Sequence, residues 1–531
     1  MNFIDFDKTD AYQKLLALAP AGKQFDFVSH LDAARVEKAV VPMAAGLSYS
    51  WAAKAVDDGV LKLLQGLADE QELITKYKAL LDGEVMNTGE NRKVLHHLLR
   101  SAGGVAATGN KVIHEGKDIG DFYRKELERL SVFADLVRAG KILGSTGKPF
   151  RAVAQIGIGG SDLGPRAICL ALENWAAAEG KKRLTAKFIS NVDPDDASAI
   201  TAALPLEETL FVLVSKSGTT QETLANELFV KDKLTKAGLD PGKHMVAVTS
   251  ETSPLARNPA YLDSFYIDDF IGGRYSASSG VGGVIISLAY GSEVFKEFLA
   301  GAAEADTLAL EADIFKNAAL LDALIGIWER NFLRFPYTAV LPYSQALSRF
   351  PAHLQQLDME SNGKRVSRDG RPLSYVTGPV VFGEPGTNGQ HSFYQLLHQG
   401  ADIVPLQFAG FLESQRGDDV TVDGSGSQTK LKANLAAQIV AFAKGQISDN
   451  KNKEFPGHRP SSLILGRRLT PAALGALLAH FENKVMFQGF VWNINSFDQE
   501  GVQLGKILTK KVLAGNSGDS ALDAYSKLLG I

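Results

Sequence analysis

Cysteine is almost missing from this chain: Cys169 is the single one in 531 residues. No intrachain disulfide can form, and a CxxC metal or redox motif is excluded. The thiol lies in the apolar run Ala167-Ile168-Cys169-Leu170, where it reads as a small buried side chain. Long apolar runs are missing too. The most tempting, residues 281–290, falls short of the ~20 residues of a membrane-spanning helix. Residues 1–7 are acidic and lack the basic stretch and following apolar core of a signal peptide. Positive charge is not in excess either. The 56 Lys and Arg stand against 60 Asp and Glu, a net charge of -4 that points away from nucleic acid and anionic membranes. No clustered His/Asp/Glu set appears for a metal. The expectation is a soluble cytoplasmic protein that uses no metal or cofactor and binds neither nucleic acid nor membrane.

What is present is enough apolar sequence for a large core, at a length that suggests more than one domain. Residues 34–60 and 70–81 carry 3.6-type apolar spacing and predict helices. From residue 151 the pattern changes. Short apolar runs at 152–158, 186–190, 210–214, 244–249 and 264–267 alternate with helical stretches at 163–177, 196–203 and 219–236, the signature of βαβ units. The rhythm returns after 320, with strands expected at 337–341, 373–376 and 404–408. The polar, Gly-rich stretch 417–426 reads as an exposed loop. The fold class is therefore α/β: two αβα sandwich domains with mainly parallel central sheets, plus helical N- and C-terminal extensions. An amphipathic run at 521–529 fits either a partner-wrapping or a solvent-facing helix.

Six segments could carry chemistry. In Leu354-Gln355-Gln356-Leu357-Asp358-Met359-Glu360-Ser361-Asn362-Gly363-Lys364, Glu360 closes a helix-like run that Gly363 terminates, and Gln356 shares its face. The negative end of a helix dipole opposes ionisation and predicts an upward-shifted carboxylate suited to proton transfer. In Ile156-Gly157-Ile158-Gly159-Gly160-Ser161-Asp162-Leu163-Gly164, a strand enters a Gly-rich turn and then a helix, which suits an anion or a sugar. Asp162 stands where a dinucleotide fingerprint needs its third glycine, and no Gly-Lys-Ser/Thr ends a Walker A loop. The segment Ser215-Lys216-Ser217-Gly218-Thr219-Thr220-Gln221-Glu222 offers four hydroxyls, an ammonium and the first amides of a helix that a Thr219/Glu222 capping box would open. That is a phosphate monoester site, with no acid expected close to the anion. Gly272-Gly273-Arg274 brings a cation to a closely approaching backbone. In the loop 383–393 a helix is expected to begin near His391, whose imidazole should then stay neutral, with His398 on the same face. Finally, if residues 499–506 are helical, Gln499, Gln503 and Lys506 share one side. Taken singly, each segment also reads as an ordinary turn, cap or solvated side chain.

Together, in this order and with Asn87-Thr88, Val94-Leu95-His96 and Trp492-Asn493-Ile494-Asn495-Ser496-Phe497-Asp498-Gln499, these segments resemble the glucose-6-phosphate isomerase (phosphoglucose isomerase) family over about residues 85–510. The resemblance implies two sugar-isomerase-type domains, a smaller one at 120–290 and a larger one from 1–119 and 291–510, with 511–531 as a helical tail. It implies a homodimer with shared active sites and a hexose 6-phosphate substrate. Glu360 matches the base that moves a proton between C1 and C2 by way of a cis-enediolate. His391, from the neighbouring subunit, and Lys506 match the ring-opening pair, and Arg274 the enediolate's cation. Gly160, Ser161, Gln356 and Gln499 match sugar contacts, and Ser215, Lys216, Ser217, Gly218, Thr219 and Thr220 the phosphate loop. The chain departs from the family at Ser217 and Gly218 in that loop, at Glu500 and Gln503, and in the small residues of Ser276-Ala277-Ser278-Ser279. Two alternatives remain: a non-catalytic sugar-phosphate sensor, and an isomerase preferring another hexose 6-phosphate such as mannose 6-phosphate.

Overall fold

The alternation of short apolar runs and helices resolves into two sheets in a computed structural model that describes residues 2–101, 106–515 and 517–531. The first has five strands, all parallel, in the spatial order Ser264–Tyr266, Met245–Thr249, Thr209–Val214, Ala152–Ile156, Thr185–Ile189. Its central strands are buried along their whole length, as continuous apolar runs covered on both faces require. The helices Leu163–Ala178, Pro194–Ala203 and Gln221–Lys236 connect them. Counted along the chain, the order is 5-4-3-1-2. Neighbouring connections therefore leave the sheet in opposite directions between Ala152–Ile156 and Thr209–Val214.

The second sheet repeats this plan. Its parallel core runs Ser461–Gly466, Leu406–Phe411, Tyr337–Tyr343, Val380–Phe382, again with the first strand in the chain between the second and third. Two short antiparallel strands from the N-terminal region, Val40–Pro42 and Ser48–Ser50, extend it beyond Ser461–Gly466. The helix Pro471–Val491 is buried along almost its whole length, and its polar residues His480, Glu482, Asn483 and Lys484 are buried with partners: Asp322 for His480, Arg100 for Glu482, Asp306 for Asn483 and Gln407 for Lys484.

Three elements depart from the sequence pattern. The stretch 34–60 is not one helix. The helix Ala33–Lys38 ends at the hairpin of 40–42 and 48–50, and a new one, Asp58–Glu70, starts on the Asp57 side chain, which accepts from Val60 N–H. Val40, Val41 and Pro42 suit a strand, and sheet pairing outweighs the helical spacing. The strand expected at 373–376 pairs with nothing in the sheet. Its place is taken by Val380–Phe382, after the turn at Pro379. Ser461–Gly466 was missed because its two serines dilute the apolar run, although it pairs along its whole length with Leu406–Phe411. The stretch 417–426 is exposed as expected and holds a two-residue hairpin at Thr421–Val422 and Ser425–Gly426. The terminal run is a helix, Ser520–Leu529, with no buried residue. Cys169 is buried. Among the described residues no helix is long and apolar enough to cross a membrane.

Candidate active site

Ligand sites in open parallel sheets form outside the carboxyl ends of the strands, where successive connections diverge. The two turns that flank this divergence in the five-stranded sheet are the Gly-rich turn after Ala152–Ile156 and the hydroxyl-rich loop after Thr209–Val214. Both line a cleft of about 480 Å³. A third segment, after Ser264–Tyr266, closes the floor. The first and third meet backbone to backbone: a Cβ on Gly160 would lie 2.2 Å from the Gly273 carbonyl. Gly159 has φ +60°, a conformation that glycine adopts without penalty. Asp162, the residue that argued against a pyrophosphate, is buried and paired with Arg166 at 2.8 Å, away from the cleft.

The hydroxyl-rich loop is pinned to the sheet. Thr249 Oγ1 donates to the Ser215 carbonyl at 2.7 Å, and Ser250 N–H to the Lys216 carbonyl at 3.0 Å. The capping box does not form. Thr220 is the N-cap, the helix starts at Gln221, and no side chain caps the first amides. The Ser215 hydroxyl donates to Thr220 Oγ1 at 3.2 Å, and Thr219 Oγ1 to Ser217 Oγ at 2.9 Å. The first-turn N–H groups are thus left to an external acceptor. Ser215, Lys216, Ser217 and Thr220 line the cleft, whereas Gly218 and Thr219 do not. Gly218 has φ +67°, and a Cβ there would meet Ser253 Oγ at 2.2 Å. The expectation of an acid-free loop is corrected as well: Glu222 lines the cleft, and Asp269 stands 3.7 Å from Lys216 Nζ, which donates to the Ile271 carbonyl at 3.1 Å. Burial pushes the Lys216 ammonium below its ordinary value, and Asp269 opposes the shift.

Glu360 lines the floor of the cleft, and Arg274, buried and not itself part of the lining, pairs with it. The helix Phe350–Gln355 continues through a wider turn over Gln356–Glu360 and stops at Gly363, as the sequence implies. Gln356 and Glu360 both line the cleft, and Gln356 Oε1 and Glu360 Oε2 have no hydrogen-bond donor in the protein. Arg274 Nη1 stands 3.4 Å from Glu360 Oε2, so the helix end and a guanidinium act on the same carboxylate. Arg274 is 1% exposed, and it donates through Nη2 to the Ser496 carbonyl at 2.6 Å and the Asp498 carbonyl at 3.0 Å.

Gln499 and Lys506 also line the cleft. They do not share a helix. Gln499 is non-helical, and the helix proper is Gln503–Leu513, with Lys506 in its second turn and no buried residue along it. His391 does not line the cleft of its own chain. It is exposed, on the loop after the edge strand Val380–Phe382, at the end of a short turn Asn388–His391, and the following helix begins only at Tyr394. His398 stacks on Phe442 with centroids 3.7 Å apart and packs rather than serving the cleft. Arg92 and Lys93, which lie between the Asn87-Thr88 and Val94-Leu95-His96 stretches, are cleft residues with no motif to announce them. Asn87, inside one of those stretches, and Tyr275, directly after Arg274, line the cleft without having been singled out. Among the described residues no group of three or more His, Cys, Asp or Glu side chains is placed to hold a metal ion.

A family model described as phosphoglucose isomerase matches residues 49–527. A glucose-6-phosphate isomerase of Treponema denticola is 61% identical over 495 residues, covering 93% of this chain and 92% of that protein. One from Treponema pallidum subsp. pallidum is 58% identical over 534 residues, covering 100% of this chain and 99% of the relative. The crystal structure of a glucose-6-phosphate isomerase from Chlamydia trachomatis superposes with a TM-score of 0.92 at 42% identity, with 99% of each chain covered.

Proposed function

The chain belongs to the phosphoglucose isomerase family and is an enzyme that interconverts glucose 6-phosphate and fructose 6-phosphate, and we propose that it does so with Glu360 as a single proton carrier. The observation that carries this reading is the pairing of Glu360, which lines a cleft that the hydroxyl-rich loop also lines, with the buried Arg274. The phosphate dianion anchors on Ser215, Lys216, Ser217, Thr220 and the first amides of the following helix, with Gly218 and Thr219 shaping the loop behind them. Binding a non-reacting group in this way holds the sugar carbons over the floor. Gly160, Ser161, Gln356 and Gln499 contact the sugar.

Lys506 and His391 move the ring proton so that the cyclic sugar opens. Glu360 then takes the proton from C2 of the aldose. The electron pair moves into the C1–C2 bond and onto the carbonyl oxygen, and Arg274 stabilises the resulting cis-enediolate. A proton passes from O2 to O1, the charge left on O2 forms the C2 carbonyl, and return of the carbon-bound proton from Glu360 to C1 gives the ketose. Because His391 lies off the cleft of its own chain, the reading includes a homodimer in which the partner subunit supplies it. It also includes residues 120–290 as one domain, 1–119 with 291–510 as the other, 511–531 as a tail, a cytoplasmic location and turnover without metal. The decisive experiment is conversion of fructose 6-phosphate to glucose 6-phosphate, followed through a coupled dehydrogenase with chelator present, for the wild type and Glu360→Gln. Turnover in the first and its loss in the second is the expected result. Turnover retained by Glu360→Gln removes the base assignment.

A further inference from the structure

Arg274 is useful to the reaction only if its free face points at the cleft, and a buried guanidinium has five N–H donors to satisfy. Two of its contacts are backbone carbonyls, of Ser496 and Asp498, on the segment that leads to Gln499. The third is the hydroxyl of Ser361, the residue directly after Glu360, which accepts from Arg274 Nε at 2.6 Å. Ser361 is 0% exposed and does not line the cleft. Its oxygen also lies 3.0 Å from the hydroxyl of Tyr275, the residue directly after Arg274. Ser361 is thus the point where the helix of the base and the segment of the cation are joined side chain to side chain.

From this we infer that Ser361 is a positioning residue for the isomerisation: its hydroxyl fixes the rotation of the Arg274 guanidinium, and with it the placing of Nη1 against Glu360. The inference rests on the roles of Glu360 and Arg274 given above. Three acceptors at fixed places leave a planar fork one orientation, in which Nη1 alone is turned to the carboxylate that lines the cleft. Without the Ser361 acceptor the fork can turn about its two carbonyl contacts. Asn362 and Lys364 hold the other side of the joint: Asn362 Oδ1 accepts from the Ser496 hydroxyl at 2.8 Å, and Lys364 Nζ donates to the Asp498 carbonyl at 3.2 Å. The carbonyl contacts therefore stay in place when the hydroxyl is removed, and the effect is confined to the guanidinium.

The test is Ser361→Ala, assayed with fructose 6-phosphate. A misplacement of about 1 Å in a reacting group can reduce turnover about a hundredfold. The expected result is a fall in kcat of roughly tenfold to a hundredfold with KM within about twofold of wild type, because the phosphate anchor is untouched. The discriminating arm is the double variant. In an Arg274→Lys background, which has no Nε–H to orient, Ser361→Ala should cost nothing further. Losses that multiply, or a Ser361→Ala enzyme with wild-type kcat, overturn the inference while leaving Glu360 and Arg274 in their roles. Should Ser361→Ala not fold, Ser361→Cys keeps the side chain's size with a weaker acceptor and carries the same two arms. Full turnover by Glu360→Gln would instead strike at the reading beneath.

Discussion

The two walls of the cleft are built in opposite ways. On the Glu360 side the cation and the helix that carries the carboxylate are held, while the cleft-lining oxygens Gln356 Oε1 and Glu360 Oε2 lack a donor. Arg274 is buried with three acceptors, and the helix Phe350–Gln355 packs under Gln356 and Glu360 with Phe350 and Leu354 buried. On the Lys506 side, Gln499 and the helix Gln503–Leu513 are exposed and contribute nothing to the core. On the mechanism proposed above, the reacting carbons meet the fixed wall, whereas ring opening and ligand contact fall to the open one. Preorganised charge is worth most where the intermediate's charge develops, and a wall that admits and releases the sugar has to be free to move.

The comparison breaks most sharply at Glu360. Glu360→Gln is expected to lower kcat by about two to four orders of magnitude with KM nearly unchanged, measured by steady-state kinetics. Next comes Arg274→Ala on the same wall, with a loss of about 10²–10³ in kcat from removing a cation at the enediolate. The contribution of the second subunit can be separated from both. If the site is shared, mixing Glu360→Gln with His391→Ala protomers by reversible dissociation restores about a quarter of the sites, whereas sites complete within one chain give no recovery. At the phosphate end, Lys216→Ala and Thr220→Ala should each raise KM about tenfold, the size of a lost charge-assisted hydrogen bond. An unchanged KM would move the anchor elsewhere.

A last measurement, on stability rather than turnover, tests how dry the fixed wall is. His353, on the helix under Glu360, is 1% exposed with neither ring nitrogen hydrogen-bonded, and burial pushes its imidazole down to about 4. The unfolded chain protonates the same ring near 6.5. Between those values the unfolded state binds more protons, so stability falls as pH drops from about 6.5 towards 4, by up to about 3 kcal/mol. His353→Leu should flatten that part of a pH series of melting temperatures, and an unchanged slope would mean that water reaches the ring.

Much of this was legible in the sequence because strands, turns and caps are local. The runs at 152–158, 210–214 and 244–249 lie within a few residues of observed strands, and the helices expected at 163–177, 196–203 and 219–236 start within two residues of the observed ones. Hairpin pairing is not local. Residues 34–60 carried a helical spacing, but Ser48–Ser50 finds its partner more than 400 residues away, in Ser461–Gly466, and Val40–Pro42 joins the sheet only through Ser48–Ser50. The same limit governs the site. Glu360, Lys216 and Lys506 stand out by type and neighbours, and the structure puts them on one cleft. Ser361 and Asp269 do not, because a serine after a glutamate and a second aspartate in a row say nothing until the chain has folded. Gln499 shows the converse: it reaches the cleft where it was expected, but by leaving the helix that was meant to carry it.

The contact between Gly160 and Gly273 has a consequence for how this enzyme can be altered. The two loops touch through main chain, so their separation is fixed by the radii of backbone atoms rather than by any side chain. It works as a gauge block between the sugar-contacting turn and the cation. Substitutions elsewhere in either loop can change what the cleft recognises, but any side chain at Gly160 lifts one loop off the other and displaces Arg274 from the carboxylate it serves. New substrate preferences are therefore best sought at Ser217, Gln499 or Asp269, where the lining can change without altering that spacing.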